Sequence, residues 1–179
     1  FNTTDKDKTK IYKQQANRIA GRNNFVNIED YLKSLEMKLT IYQDNESIIE
    51  RTAQLSQKTN QFNLTTKRYT EKDINDFIYR KDSKVITFSV SDRYGNNGIT
   101  GLAIINFNLD QQSAEIDTFL MSCRIIGRNI EYVVFDNIVD YINNKNIKTI
   151  KAKYVKSSKN EQVKNFYDNC SFNLYKTKD

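Results

Sequence analysis

Apolar residues recur along this chain with two periods, one close to 3.6 and one close to 2, and the switches between them mark its elements. Residues 5–20 are polar except for Ile11, Tyr12, Ala16 and Ile19, which fall on one side of a helix that Gly21 can stop. Asn27 can cap a second helix, with Asp30 three residues on and Tyr31, Leu32 and Leu35 as its apolar side. A short strand over 39–42 and a helix over 46–58 follow. The spacing then predicts a strand over 64–69 and, behind a Thr70 cap, a helix with Ile74, Phe77 and Ile78 at helical intervals. Strands are expected at 85–90, 99–107 and 114–121, the first two joined by a turn over 92–98 that holds two glycines. A helix begins near Ile130 with Ile130, Val133, Val134, Ile138 and Ile142 toward a core. A strand over 148–155, a helix over 160–169 and a strand over 172–175 close the chain.

From residue 61 the order is strand, helix, three strands, helix, strand, helix, strand. That is a mixed α/β (α+β) layer architecture with a central meander. The first 60 residues read as a helical lead-in. The apolar positions that keep strand or helix period form the expected core: Ile86, Phe88, Leu102, Ile104, Ile116, Val134, Ile138, Ile150 and Phe172.

Composition narrows the chemistry. There is no His, which excludes a His-based triad and a His-containing zinc site, and no metal site is expected. Cys123 and Cys170 are the two cysteines, and they form no Cys-x-x-Cys. Reduced thiols in a cytoplasmic protein are the simpler reading. No apolar run approaches the length that spans a membrane. Lysines and arginines exceed acidic residues by 28 to 22, a net charge of +6. Such a balance suits an anionic cofactor, an acidic protein or simply a solvated surface; no dense basic stripe points to nucleic acid. The chain starts at Phe1 rather than Met and is read as part of a longer protein.

The junction at 120–135 carries the most chemistry. A strand ends, a polar loop with a glycine follows, and a helix begins. Helix N-termini present unpaired N–H groups and partial positive charge, which hold phosphates. Gly127 would let main chain approach a pyrophosphate, and Arg124 and Arg128 would add charge-assisted bonds. The bland alternative is an ordinary strand-to-helix loop with surface arginines. Cys123 sits just past the strand, beside Arg124 and before the helix, features that favour a thiolate and so a nucleophile that accepts an acyl group. Its alternative is a small buried thiol. Asp117 is at even separation from Cys123 on the same strand; if the strand stays regular, one face carries both, and Asp117 could serve as base or orient a substrate hydroxyl. An Asp bonded to local main chain is the other reading.

The run Arg124-x-x-Gly127-x-Asn129 resembles the Gln/Arg-x-x-Gly-x-Gly/Ala loop of the GNAT acyltransferases, and the element order around it is similar to theirs. Residues 65–78 resemble the opening strand and helix of that fold, and 165–172 (Asn-Phe-Tyr-Asp-Asn-Cys-Ser-Phe) its late helix. Asn129 replaces the last small residue of the loop, and Ser171 stands where glycine is usual. The resemblance implies a GNAT-like acyl-CoA N-acyltransferase fold with a splayed central sheet. It also implies that Arg124, Gly127, Arg128 and Asn129 cradle the pyrophosphate of coenzyme A. Tyr167 would be the general acid for the thiolate leaving group, although a Tyr beside Phe166 is also a plain core residue.

Two phrases resemble the FkbH-like branch of the haloacid dehalogenase superfamily more closely. They are 54–66, Gln-Leu-Ser-Gln-Lys-Thr-Asn-Gln-Phe-Asn-Leu-Thr-Thr, and 116–128, Ile-Asp-Thr-Phe-Leu-Met-Ser-Cys-Arg-Ile-Ile-Gly-Arg. Such proteins join an N-terminal phosphatase-type domain to a C-terminal domain like this one. The resemblance implies that residues 1–60 link to a missing phosphatase-type domain and that 61–179 form the acyltransferase domain. It implies transfer of a glyceryl-type unit to an acyl carrier protein, with the acyl group held as a thioester on coenzyme A or phosphopantetheine. The phosphatase half requires Asp-x-Asp after an apolar strand; the one instance here, Asp5-Lys6-Asp7, has no such strand before it. The competing expectation is a catalytically silent module that docks coenzyme A or a carrier protein for that domain.

Overall fold

The computed structural model describes residues 3–175, with side chains described from residue 8 onward. Its elements in chain order are α1 (Thr3–Arg22), α2 (Ile28–Ser34), β1 (Lys38–Gln43), α3 (Ile49–Lys58), β2 (Phe62–Asn63), α4 (Glu71–Tyr79), β3 (Ser83–Asp92), β4 (Gly95–Asn108), β5 (Ser113–Met121), α5 (Ile130–Asn143), β6 (Thr149–Ala152) and α6 (Phe166–Asn169). One mixed sheet runs β1-β3-β4-β5-β2, with β6 also paired to β5. All of its pairs are antiparallel except β5–β6.

Helices cover both faces. On one, Ile130, Val134, Ile138 and Ile142 of α5 join Phe88, Ala103, Ile105, Ile116 and Phe119 in the larger core. On the other, Ala53 and Leu55 of α3 and Ile74 of α4 pack on Val85, Leu102, Ile104 and Leu120. At about 25 cal/mol per Å² of apolar surface, these two interfaces dominate the stability of the domain. The stretch before residue 61 thus contributes two elements to the layers, since β1 pairs with β3 and α3 lies on the sheet. Gly101 leaves room for Phe88: a Cβ there would come within 1.8 Å of that ring.

Most expected elements are present, and their ends show local chemistry. Asn27 accepts from the Glu29 N–H at the start of α2, and Thr70 with Asp73 forms a reciprocal capping box on α4. The turn expected over 92–98 shrinks to Arg93–Tyr94, because Asp92 pairs with Gly95 and its carboxylate accepts from both Tyr94 and Gly95 N–H groups. The core expectation holds for Ile86, Phe88, Leu102, Ile104, Ile116, Val134 and Ile138, while Ile150 and Phe172 are half-buried at its edge.

Several expectations are corrected. No strand covers 64–69: the Asn63 side chain accepts from the Thr66 N–H at 2.9 Å, Thr66 takes φ 58°, and the pairing segment is two residues at Phe62–Asn63. The helix over 160–169 is broken into a 3-10 turn, Glu161–Val163, and α6. Residues 172–175 form no strand. Val133 is 53% exposed rather than core, and Ile19 and Tyr12 on α1 are exposed as well.

The outer edge of β5 is divided between two partners. Its first half, Ser113–Ile116, pairs with β6, whereas Leu120 and Met121 pair with β2. Past Ala152 the two parallel strands part, and Phe62–Leu64 fills the wedge between them. Leu64 N–H donates to Phe119 and Val155 N–H donates to Leu64. Asn160, fully buried, ties the insertion by donating to the carbonyls of both Asn63 and Val155. The splay implied by the resemblance exists, but this chain's own main chain occupies it.

Candidate active site

The loop between β5 and α5 is the centre of the candidate site. The Ser122 N–H donates to Thr100, which holds the strand end, and its hydroxyl accepts from the Arg124 N–H and Nε. A 3-10 turn, Cys123–Ile125, follows; it buries Ile125 and leaves Cys123 exposed. The half-buried Arg124 guanidinium is pressed toward its neutral form by burial and then by the nearby charges of Arg51 and Arg18. Gly127 takes φ +81°, with open space where a Cβ would stand, and Asn129 enters α5 at φ 58°. Asn tolerates that left-handed conformation better than most residues, which accounts for it at a position where the resemblance favours a smaller one.

Arg128 is not on the loop's outer surface. It is buried, donating from Nη1 to Asp92 at 3.1 Å and from Nη2 to the Arg124 carbonyl at 2.8 Å. Its guanidinium braces the loop from beneath rather than offering itself to a phosphate. The helix N-terminus is also partly compensated. Glu131, in the first turn of α5, accepts from its own N–H, and its Oε2 is enclosed without a partner among the described residues. Burial raises the Glu131 pKa. This residue lines a cleft of about 130 Å³ with Phe62, Ile126, Tyr132, Asn165 and Phe166. A larger cavity of about 240 Å³ lies at the other end of the sheet, bordered by Ser83, Phe107, Tyr141 and Lys145, and includes none of the loop residues.

Asp117 and Cys123 are not on a shared face. Ile104 pairs with Thr118 and Ile105 with Ile116, so Asp117 is the extra residue of a bulge. The bulge reverses the alternation: Ala114 and Ile116 point toward the α5 side, and so do Phe119 and Met121. Asp117 is bonded instead to Lys67, Tyr69 and Thr118. Burial opposes its ionisation, but the bonds from Lys67, Tyr69 and Thr118 together hold its carboxyl below the usual range. A carboxylate held so is a poor proton acceptor. In return, burial and then the bond to Asp117 raise the Tyr69 pKa.

Tyr167 is enclosed among Phe135, Phe166 and Phe172, and its hydroxyl has no hydrogen-bond partner among the described residues. Burial raises its pKa strongly. So enclosed, Tyr167 packs as a core residue here, in place of the acid that the resemblance implies. Lys67 and Tyr69 had no signal of their own in the sequence, since they fall where a strand is expected. Among the described residues, no group of three His, Cys, Asp or Glu side chains could hold a metal ion, and no helix is long and apolar enough to cross a membrane.

Solved structures share this fold. A possible acetyltransferase from Clostridium difficile 630 is 14% identical with a TM-score of 0.55, over 78% of this chain and 97% of that one. The ribosomal-protein-S18-alanine N-acetyltransferase from Escherichia coli is 13% identical with a TM-score of 0.59, over 78% and 80%. A transcriptional regulator from Bacillus halodurans C-125 is 13% identical with a TM-score of 0.60, over 79% and 97%. At such identities the likeness establishes the fold alone: this chain has the mixed α/β fold of the GNAT-like acetyltransferases. No protein-family model matches the chain, and no curated protein matches it in sequence.

Proposed function

We propose that this chain is an acyltransferase-type domain that takes an acyl group from a thioester and holds it on Cys123. The observation that carries this reading is the position of that thiol, exposed on the turn beyond β5 and next to the half-buried Arg124. In the proposed step the Cys123 thiolate adds to the thioester carbonyl. A new C–S bond forms, the donor's C–S bond breaks, and the pantetheine thiolate leaves and takes up a proton. An acceptor thiol then reverses the exchange. Arg124, with Gly127 and Asn129 around it, would hold the phosphates of coenzyme A or of a carrier's phosphopantetheine. The FkbH-like phrases support a glyceryl-type acyl unit, an acyl carrier protein as partner and a phosphatase-type domain in the same protein. The net charge of +6 suits such a partner, since acyl carrier proteins are typically acidic.

Titration calorimetry with coenzyme A, and separately with phosphopantetheinylated acyl carrier protein, tests the binding half of this reading. Saturable binding that weakens in Arg124→Ala is the expected result. Binding of neither would overturn it.

A second reading has its own observations. The filled wedge and the enclosed Tyr167 leave a direct-transfer mechanism without its channel and without its acid, which favours a silent docking module. That reading separates from the first by binding without any acyl adduct on Cys123.

A further inference from the structure

Arg18 and Arg128 meet on one carboxylate, and they do not share it equally. Arg18, on α1, is 2% exposed, and the Asp92 side chain is fully enclosed. The Arg18 guanidinium forks onto Asp92, with Nε donating to one carboxylate oxygen at 2.6 Å and Nη2 to the other at 2.8 Å. The second of those oxygens also accepts from the Tyr94 and Gly95 N–H groups. Arg128 is left one bond, from Nη1 to the oxygen that Arg18 Nε already holds, at 3.1 Å. Its Nη2 donates instead to the Arg124 carbonyl at 2.8 Å, within the 3-10 turn that carries Cys123. Burial opposes ionisation of Asp92, but the bond and charge of Arg18, then the Tyr94 N–H and the charge of Arg128, hold its carboxyl below the ordinary range.

A guanidinium that meets a free carboxylate favours two parallel N–H to oxygen bonds. Arg128 makes only one, because Arg18 and the hairpin N–H groups already occupy both oxygens of Asp92. What Arg128 gives the loop therefore depends on what Arg18 takes from Asp92. Arg18 is in turn placed by close docking of α1 on the β3–β4 hairpin. A Cβ on Gly21 would stand 2.2 Å from the Tyr94 hydroxyl oxygen, and one on Gly95 would stand 2.2 Å from Gln14 Nε2. The Tyr31 hydroxyl donates to the Arg18 carbonyl at 3.2 Å. A chain of hydrogen bonds thus runs unbroken from α1 through Arg18, Asp92 and Arg128 to the Arg124 carbonyl.

We propose that Arg18 is a positioning residue for the loop over 122–129: by filling Asp92, it keeps Arg128 singly bonded there and the second Arg128 nitrogen on the Arg124 carbonyl. Without the Arg18 fork, Arg128 turns both nitrogens onto Asp92 and releases that carbonyl, and the turn bearing Cys123 and Arg124 loosens. Arg18 acts through two other side chains and touches no ligand. The consequence for acyl transfer rests on the reading of that loop as the functional site; the link from α1 to the loop does not. Seating of α1 and order in the loop become one coupled equilibrium, so whatever moves α1 off the hairpin also loosens the turn.

Amide hydrogen exchange of the whole chain, without ligand, tests this at Ile125 and Ile126, whose N–H groups donate to the Ser122 and Cys123 carbonyls within the turn. Arg18→Met removes the donors. Arg18→Lys keeps a cation opposite Asp92 but loses the fork, so it retains the fold if Arg18→Met does not. Arg128→Lys has a single nitrogen and cannot bridge Asp92 and Arg124. Lys10→Gln, at an exposed position of α1, controls for net charge. In Arg18→Lys the two loop amides are expected to exchange about three- to tenfold faster, the worth of one net hydrogen bond. The Ile74 amide of α4, on the opposite face of the sheet, should be unchanged, and Lys10→Gln should exchange as the native chain does. In Arg128→Lys the loop amides are already fast, and adding Arg18→Lys should quicken α1 without quickening them further. Loop amides unchanged in Arg18→Lys overturn the proposal. An Arg18→Lys effect just as large in the Arg128→Lys background also overturns it, since Arg18 is then a general stabiliser. Calorimetry with coenzyme A and with carrier protein separates the functional reading. Binding that weakens in Arg18→Lys along with the faster exchange supports both. Binding of neither, with the exchange pattern as described, removes that reading and retains Arg18 as the positioning residue.

Discussion

The side-chain amide of Asn160 donates to the main-chain carbonyl of Asn63 at 2.8 Å, across 97 positions of sequence. The same amide donates to Val155, and the Asn160 Oδ1 accepts from the Ser157 N–H and the Tyr154 hydroxyl. One side chain therefore completes the hydrogen bonding of the segment that fills the wedge between β5 and β6. Replacing it by alanine strands several buried groups, each worth about 1–3 kcal/mol when left unpaired. Asn160→Ala should lower unfolding stability by at least about 2 kcal/mol in urea titration. A loss within about 0.5 kcal/mol, the usual surface range, would show that the wedge is not held as described.

The two thiols should separate under labelling. Cys170 is half-buried, and burial followed by the nearby carboxylates of Asp136 and Glu131 pushes its pKa up to about 11. Cys123 is exposed beside Arg124. A maleimide at neutral pH should modify Cys123 well before Cys170, read by mass spectrometry of tryptic peptides. Faster modification of Cys170 would contradict the site assignment.

Arg124→Ala should weaken coenzyme A binding by roughly 1–3 kcal/mol, the worth of a charge-assisted bond to phosphate. Gly127→Ala should weaken it as well, because a φ of +81° strains any residue with a Cβ even where space is open. Calorimetric affinities unchanged in both would remove the loop from the site.

Glu131 predicts a pH dependence. Burial holds its folded-state pKa above the ordinary 4.5, against a smaller contribution from its own N–H. Below that value the carboxyl is protonated in the folded and unfolded chains alike. As pH rises through the folded pKa, folding opposes an ionisation that the unfolded chain makes freely, so stability falls. Glu131→Gln keeps an acceptor for the helix N-terminus and lacks the charge. It should be more stable than the native chain at pH 7, with the advantage fading as pH drops below about 4. An advantage that is the same at both pH values would contradict the assignment.

Periodicity made the layers legible in advance. Alternation placed β3, β4 and β5, and the 3.6-residue repeat placed α4 and α5, because these elements bury one face each. It overreached at Val133, which continues the apolar run of α5 yet points to solvent. The site was legible only as a loop. Whether Asp117 and Cys123 share a face turns on one extra residue in β5, and a bulge has no period of its own. The inward turn of Arg128 depends on Asp92, 36 residues earlier, and the role of Lys67 on Asp117, 50 residues later. Two-residue β2 was hidden because its pairing partners lie in β5 and beyond β6, and a segment so short carries no alternation at all.

Intact-mass spectrometry of the chain after incubation with an acyl-CoA, and with an acylated carrier protein, bears most directly on the acyl-transfer account. The account predicts a mass increase equal to one acyl group from at least one of these donors. That adduct should be absent in Cys123→Ser, present in Cys170→Ser and Tyr167→Phe, and discharged by hydroxylamine as a thioester is. An unmodified native chain with both donors, or an adduct that persists in Cys123→Ser, would contradict it.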